Sequence, residues 1–326
     1  MKKKSMIIFI CSIVMIAGSL FIVLQKGDWF SIKDKKDDKK IEQKDEPKTE
    51  EKFTYTPVMY KICDDDNCNY LVGAMHMGDS RINSFSDKVM NAYKEMDSVA
   101  VELDNVYDIS INDYVLPDDK KIDDLISSEL NQKLIEFASK HPFFMYDQFK
   151  KYIPGFFYDI IESVMYLELG YEIEGVDTYF ANLAKKDNKE VISIEKTEDQ
   201  TAFFTNYSNE LFIYLIEKSI DNYDAGKELS KNLYDAYLAG DANKIASLIA
   251  SEYNYDIIQD EKIKNEFKKY NEDLLDNRNI VMANAIVDFL EKDKNVFVTV
   301  GAAHVVSDNG IITLLSNKGY TITSMN

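Results

Sequence analysis

Four short stretches carry unbroken runs of apolar and β-branched residues: YLVGAM (70–75), SVAVEL (98–103), EVISIE (190–195) and NVFVTVG (295–301). Runs without polar alternation predict strands covered on both faces. A fifth strand, YTIT (320–323), is expected after the helix DNGIITLLSNK and its terminating Gly319. Between the strands the pattern changes to a helical period. SDKVMNAYKEM links the first two strands, and KIDDLISSELNQKLIEFASK follows, ended by His141-Pro142. PGFFYDIIESVMYLEL, DTYFANLAKKD and a long tract from about Thr197 to Leu290 complete the helical content. Strands alternating with helices predict an α/β sheet, and the uninterrupted helical tract predicts a helical subdomain or cover over one side of it.

The chain's first thirty residues do not fit a globular core. Three lysines precede a charge-free apolar run from Met6 to Leu24. As a helix it spans roughly 28 Å, close to the thickness of a bilayer's hydrocarbon. Lysines on the short side put that side in the cytoplasm and the rest outside. This predicts an N-terminal membrane anchor over 1–30, with Ala17-Gly18-Ser19 offering a signal-peptide cleavage site and a secreted product as the alternative. Residues 31–52 hold eight lysines and eight acids with almost nothing apolar, which predicts a solvated linker.

The remaining residues, 53–326, contain no Gly-, Pro- or Ser-rich joint and read as one domain. They carry 26 basic and 48 acidic residues, a net charge of −22. That sign disfavours nucleic acid as a partner and suits an extracytoplasmic domain that attracts cationic peptides or is simply kept soluble. Cys63 and Cys68 flank the turn DDDN between two apolar runs, so a hairpin brings them near one another. Outside the cell they would either oxidise to a disulfide or stay free thiols.

The candidate chemistry lies at strand ends. Two of the three histidines follow an apolar run at the same spacing: GAMH (73–76) and GAAH (301–304). Glycine lets the chain turn sharply as it leaves the strand, so each imidazole can point back over the sheet edge where open α/β folds bind ligands. VAVELD ends at the same level with Glu102. If these strands are neighbours, His76, His304 and Glu102 converge. Two imidazoles and a carboxylate suit zinc, manganese or another divalent ion with an open position for water. Without a metal, the trio suits general acid–base catalysis. Alternatively, each histidine caps its loop through hydrogen bonds.

Arg278 lies beside Asn279 and could clamp a carboxylate or oxyanion, or pair with Asp273 or Asp276. Glu195 ends VISIE and could partner the site or open the next helix, since Thr197 and Gln200 have capping-box spacing. His141 reads as a surface or capping histidine, and Tyr179 and Phe180 read as core. G-x-S-x-G, a Walker loop and G-x-G-x-x-G are all absent.

Taken together, GAMH (73–76), VELD (101–104), GVDTYF (175–180), IEKTEDQ (194–200), AYLAGDANKIASL (236–248), NRNIVMANAI (277–286) and VGAAHVVSDNGIITLLSNKGYTI (300–322) resemble the TraB/GumN/Tiki superfamily. The resemblance covers nearly all of residues 58–325. It implies a mixed α/β fold related to erythromycin esterases and haem-uptake ChaN proteins. It also implies a divalent-metal site (Mn, Co or Zn) at His76, Glu102 and His304, with Arg278 at a recurring family arginine. The Tiki branch resembles membrane-tethered, metal-dependent peptidases acting on secreted proteins, and the TraB branch is associated with shutting down peptide pheromones. Ala74 departs from the family, which usually has Thr or Ser there, and so removes a hydroxyl from the first turn.

Overall fold

The computed structural model describes residues 53–104, 111–172, 174–251 and 254–326. The expected anchor (1–30) and linker (31–52) lie outside them. Among the described residues, no helix is long and apolar enough to cross a membrane.

Six strands form one sheet: β1 (Met59–Cys63), β2 (Cys68–Ala74), β3 (Ser98–Val101), β4 (Glu190–Ser193), β5 (Val296–Gly301) and β6 (Thr321–Ser324), in the order β4-β3-β5-β2-β1-β6. β4, β3, β5 and β2 run parallel, while β1 is antiparallel to both β2 and β6. The mixed α/β class follows from this. β1 and β2 form the expected hairpin, with Cys63 directly opposite Cys68 and a disulfide joining them.

The most apolar run, VFVTVG, becomes the strand flanked by β3 and β2, and all six of its residues are buried. EVISIE behaves differently from expectation. As β4 it pairs only with β3, lies at the sheet edge and is half-exposed, so Val191 and Ile192, on opposite faces, are each only partly covered. YTIT likewise forms an edge strand, β6, most of it exposed.

The helices flank this sheet. α1 (Asp87–Glu95) joins β2 to β3. The stretch 121–140, expected as one helix, divides into a 3-10 turn (Ile122–Asp124) and α2 (Ser128–Lys140). Ser127 makes the break: its hydroxyl accepts from the Leu130 amide and caps α2. α3 (Pro154–Glu168) opens on a proline suited to a first helical turn and is buried from Pro154 through Tyr166. α4 (Val176–Lys186) packs under the parallel strands, where Phe180 meets Phe297 of β5 at 4.7 Å between ring centroids.

The helical tract resolves into α5 (Asn209–Asp221), α6 (Tyr223–Leu238), α7 (Ala242–Ala250), α8 (Glu261–Asn271), a π-helical turn (Glu272–Asn277) and α9 (Arg278–Glu291). α3 packs against α5 and α6, and the buried residues of these helices join those of the sheet in one continuous core. α6 ties these helices to the sheet, because Tyr237 donates a buried hydrogen bond to the Gly73 carbonyl at the end of β2. After β5 come the short α10 (Ala302–Val306) and α11 (Ile311–Asn317), the latter followed by Gly319 at φ 92°.

Candidate active site

β3, β5 and β2 are parallel neighbours, so their carboxyl ends lie side by side, with Ala74 opposite Gly301 and Val101 opposite Thr299. Glu102 leaves the end of β3, His76 follows β2, and His304 rides on α10 directly after β5. The expected convergence occurs. Glu102 Oε1 is 3.9 Å from His76 Nε2 and 3.9 Å from His304 Nε2. Both Nε2 atoms are buried and lack a hydrogen-bond partner. Gly301 leaves room for the approach: a Cβ there would stand 3.2 Å from Glu102 Oε1 and 3.5 Å from His76 Nε2.

Each imidazole is held from behind by its other nitrogen. His76 Nδ1 lies 3.1 Å from Asp177 Oδ2, in the first turn of α4. His304 Nδ1 lies 2.7 Å from Asn279 Oδ1. An acceptor behind Nδ1 puts the proton there and leaves Nε2 with a bare lone pair when the ring is neutral. Metal-binding histidines are commonly oriented in this way. Gly175 lets α4 start hard against the histidine loop: a Cβ on it would come within 2.5 Å of the His76 carbonyl carbon and the Met75 carbonyl oxygen. The Val176 amide donates to the Met75 carbonyl, closing the contact.

Arg278 is not free to clamp a substrate. It is buried, and its guanidinium donates to Glu102 Oε2 at 2.6 Å and to both oxygens of Glu195 at 2.7 Å. Asp273, one of its expected partners, is bonded to Lys269, Tyr207 and Asn277. Glu195 does serve the site, as one of the two sequence readings held. The capping box of the other does not form: Lys196, not Thr197, precedes the helical turn, and Gln200 turns its amide to Glu195 Oε2 at 2.9 Å. His141 caps α2 and pairs with Glu168 at 2.8 Å, far from this chemistry in role.

The charges set the protonation. Burial works against a charge on His76, but Asp177 and Glu102 outweigh it and raise the ring to about 9. His304 goes the other way, because burial, Arg278 and His76 all hold it well below the usual histidine range. Burial pushes the Glu102 carboxyl up, while Arg278 and His76 pull it back. The site opens at one corner: the His76 and Asp177 side chains are 16% and 15% exposed, while that of His304 is fully enclosed.

The donors fit a divalent ion in kind, with His304 neutral and His76 required to give up its Nε2 proton to an arriving ion. Their spacing is wide: with bonds near 2.1 Å, tetrahedral neighbours stand about 3.4 Å apart, so each nitrogen must close on Glu102 by roughly 0.5 Å. Accordingly, among the described residues no three His, Cys, Asp or Glu side chains are already arranged to hold a metal. Glu102 is also committed twice, since Gly301 N–H donates to Oε1 at 2.6 Å while Arg278 takes Oε2.

The model of the TraB/PrgY/gumN family matches residues 58–324, from the start of the hairpin into β6. The chain belongs to the TraB/PrgY/gumN family. Curated proteins and solved structures return no match to it. All of His76, Glu102, Asp177, Glu195, Arg278, Asn279 and His304 fall inside the TraB/PrgY/gumN match. Sequence reasoning missed the parts played by Asp177 and Asn279. Both sit in stretches that carried the resemblance, GVDTYF and NRNIVMANAI, and the glycine two residues before Asp177 was the available signal.

Proposed function

We propose that this chain is an extracytoplasmic, membrane-tethered, metal-dependent hydrolase acting on peptides or secreted proteins. The observation that carries the reading is the pair of buried, unpartnered Nε2 atoms facing one oxygen of Glu102. His76 Nε2, His304 Nε2 and Glu102 Oε1 would hold a manganese, cobalt or zinc ion. When bound, such an ion polarises a carbonyl and lowers the pKa of a water beside it. The chain's own residues do the rest. Asp177 and Asn279 orient the rings, and Arg278 pins Glu102 with one oxygen turned inward. The exposed corner at His76 and Asp177 is where a peptide carbonyl can enter. The net charge of −22 on residues 53–326 favours cationic peptides. The apolar run Met6–Leu24 keeps the domain at the surface that secreted peptides cross. We read the three parallel strands with two histidines and a glutamate at their carboxyl edge as the erythromycin esterase/ChaN-like arrangement.

A specific observation favours a second reading, a metal-free histidine hydrolase of the esterase kind. His76 backed by Asp177 forms an acid–base pair without any ion, and the present spacing is wider than a closed metal site. Calorimetric titration of the metal-stripped full chain with Mn, Co and Zn, repeated on His304→Ala, separates the two. One-to-one binding abolished in the variant supports the metal reading, and peptide cleavage sensitive to chelator then completes it. Turnover that persists in chelator favours the histidine hydrolase. Absence of both binding and turnover leaves a module that sequesters peptides without cleaving them.

A further inference from the structure

We propose that Asn279 is a positioning residue: its buried amide, oriented by the loop 307–309, keeps the proton of His304 on Nδ1 and turns a bare Nε2 toward Glu102 and His76. This rests on the reading of His304 as a working group of the site.

The argument is one of donors and acceptors. Asn279 has no solvent exposure, so its amide must be satisfied by protein groups. Its Nδ2 stands 3.0 Å from the Asn309 carbonyl and 3.3 Å from Ser307 Oγ. A backbone carbonyl can only accept, so the atom facing it has to be the NH2 group. The opposite orientation would set two acceptors against each other. Oδ1 therefore faces His304 Nδ1 at 2.7 Å, and since it too can only accept, Nδ1 carries the hydrogen. Nε2, fully buried and without a partner, is left as a lone pair.

The choice of an amide has its own reason. Arg278, Glu102 and Glu195 already crowd three charges into this corner, and His76 brings Asp177 as a fourth. An asparagine orients the second ring without adding another charge. The connection also closes on itself, because Ser307 and Asn309 belong to the loop that leaves α10, the helix bearing His304. Arg278 and Asn279, adjacent at the start of α9, thus fix the carboxylate and one imidazole from a single turn.

The test uses the full chain labelled with 15N-histidine, whose three histidines give few enough signals to assign by substitution. Long-range 1H–15N correlation near neutral pH reads the tautomer. We expect wild-type His304 as the neutral Nδ1–H form, with Asn279→Asp retaining a proton on Nδ1 because it keeps the acceptor. Asn279→Ala should shift His304 toward the Nε2–H form while the His141 signals stay in place. A wild-type ring in the Nε2–H form, or an Asn279→Ala ring unchanged from wild type, overturns the proposal. Should Asn279→Ala fail to fold, the wild-type tautomer still decides. Divalent-ion affinity gives a second reading, expected to fall about 10- to 100-fold in Asn279→Ala, as for other residues that orient metal ligands. If no variant binds an ion yet the tautomers behave as described, Asn279 keeps its role and the metal reading is what fails.

Discussion

Replacing Arg278 with methionine offers the sharpest check on the electrostatics of the site. Methionine is also long, unbranched and flexible, but it removes the cation between Glu102 and Glu195. All three residues are less than one-tenth exposed, and the guanidinium makes its contacts at 2.6 and 2.7 Å. Breaking a buried pair by removing one partner typically destabilises by about 3–5 kcal/mol, because the other charge stays buried and uncompensated. Here two carboxylates are left. Each retains one donor, Gly301 N–H on Glu102 and the Gln200 amide on Glu195, which limits the loss. We therefore expect about 4 kcal/mol at slightly alkaline pH.

The loss should depend on pH in a definite direction. Burial already pushes the Glu102 carboxyl above its ordinary range, with Arg278 a main restraint. Without Arg278 the carboxyl rises further in the folded state. A carboxyl raised on folding stabilises the native state below its unfolded pKa, and that contribution disappears as pH rises through the folded value. The variant's deficit should therefore shrink in acid, by up to about 1.4 kcal/mol for each pH unit over which folding takes up the proton. Urea unfolding followed by circular dichroism at mildly alkaline and mildly acidic pH measures both effects. A deficit below about 1 kcal/mol, or one indifferent to pH, would refute the account of Arg278 as the counter-charge of two buried acids.

Two further outcomes follow from the same geometry. With no ion bound, His76 is raised to about 9 in the folded protein, so its contribution to stability is complete below about pH 6.5 and lost as pH climbs through 9. About 3 kcal/mol should disappear over that window in urea titrations of the stripped chain, and Asp177→Asn should flatten the slope. Gly175→Ala should destabilise by about 1–3 kcal/mol, since its Cβ meets backbone atoms of Met75 and His76 that cannot swing aside. A melting temperature equal to wild type would show that the two loops have room to separate.

The fold was legible wherever burial is uniform. VFVTVG and SVAVEL are buried along their whole observed strands, so an unbroken apolar run maps directly onto a strand covered on both faces. EVISIE has the same look, yet its strand lies at the edge, because position within a sheet depends on pairing and not on composition. The break before α2 was hidden for a related reason. The helical period continues across it, and a single serine hydroxyl taking the Leu130 amide decides where the helix restarts.

The site divides along similar lines. His76, Glu102 and His304 could be found because each ends or follows a strand, and parallel strands bring their ends together whatever lies between them in sequence. Asp177 and Asn279 give no such sign. An aspartate in the first turn of a helix is what the helix dipole alone would favour, and an asparagine at the start of a helix looks like a solvent-facing residue. What distinguishes them is a distance that only the folded chain has: 3.1 Å to one imidazole and 2.7 Å to the other. The same holds for Gln200, whose spacing from Thr197 suits a cap but whose amide goes to Glu195. In each case a polar side chain with an ordinary local use is drawn to a buried charge or ring. Leaving that group unsatisfied would be the more unfavourable outcome, typically by about 1–3 kcal/mol. The supporting shell therefore follows from the strand-end residues that need it, and is best sought by asking which of their atoms burial leaves without a partner.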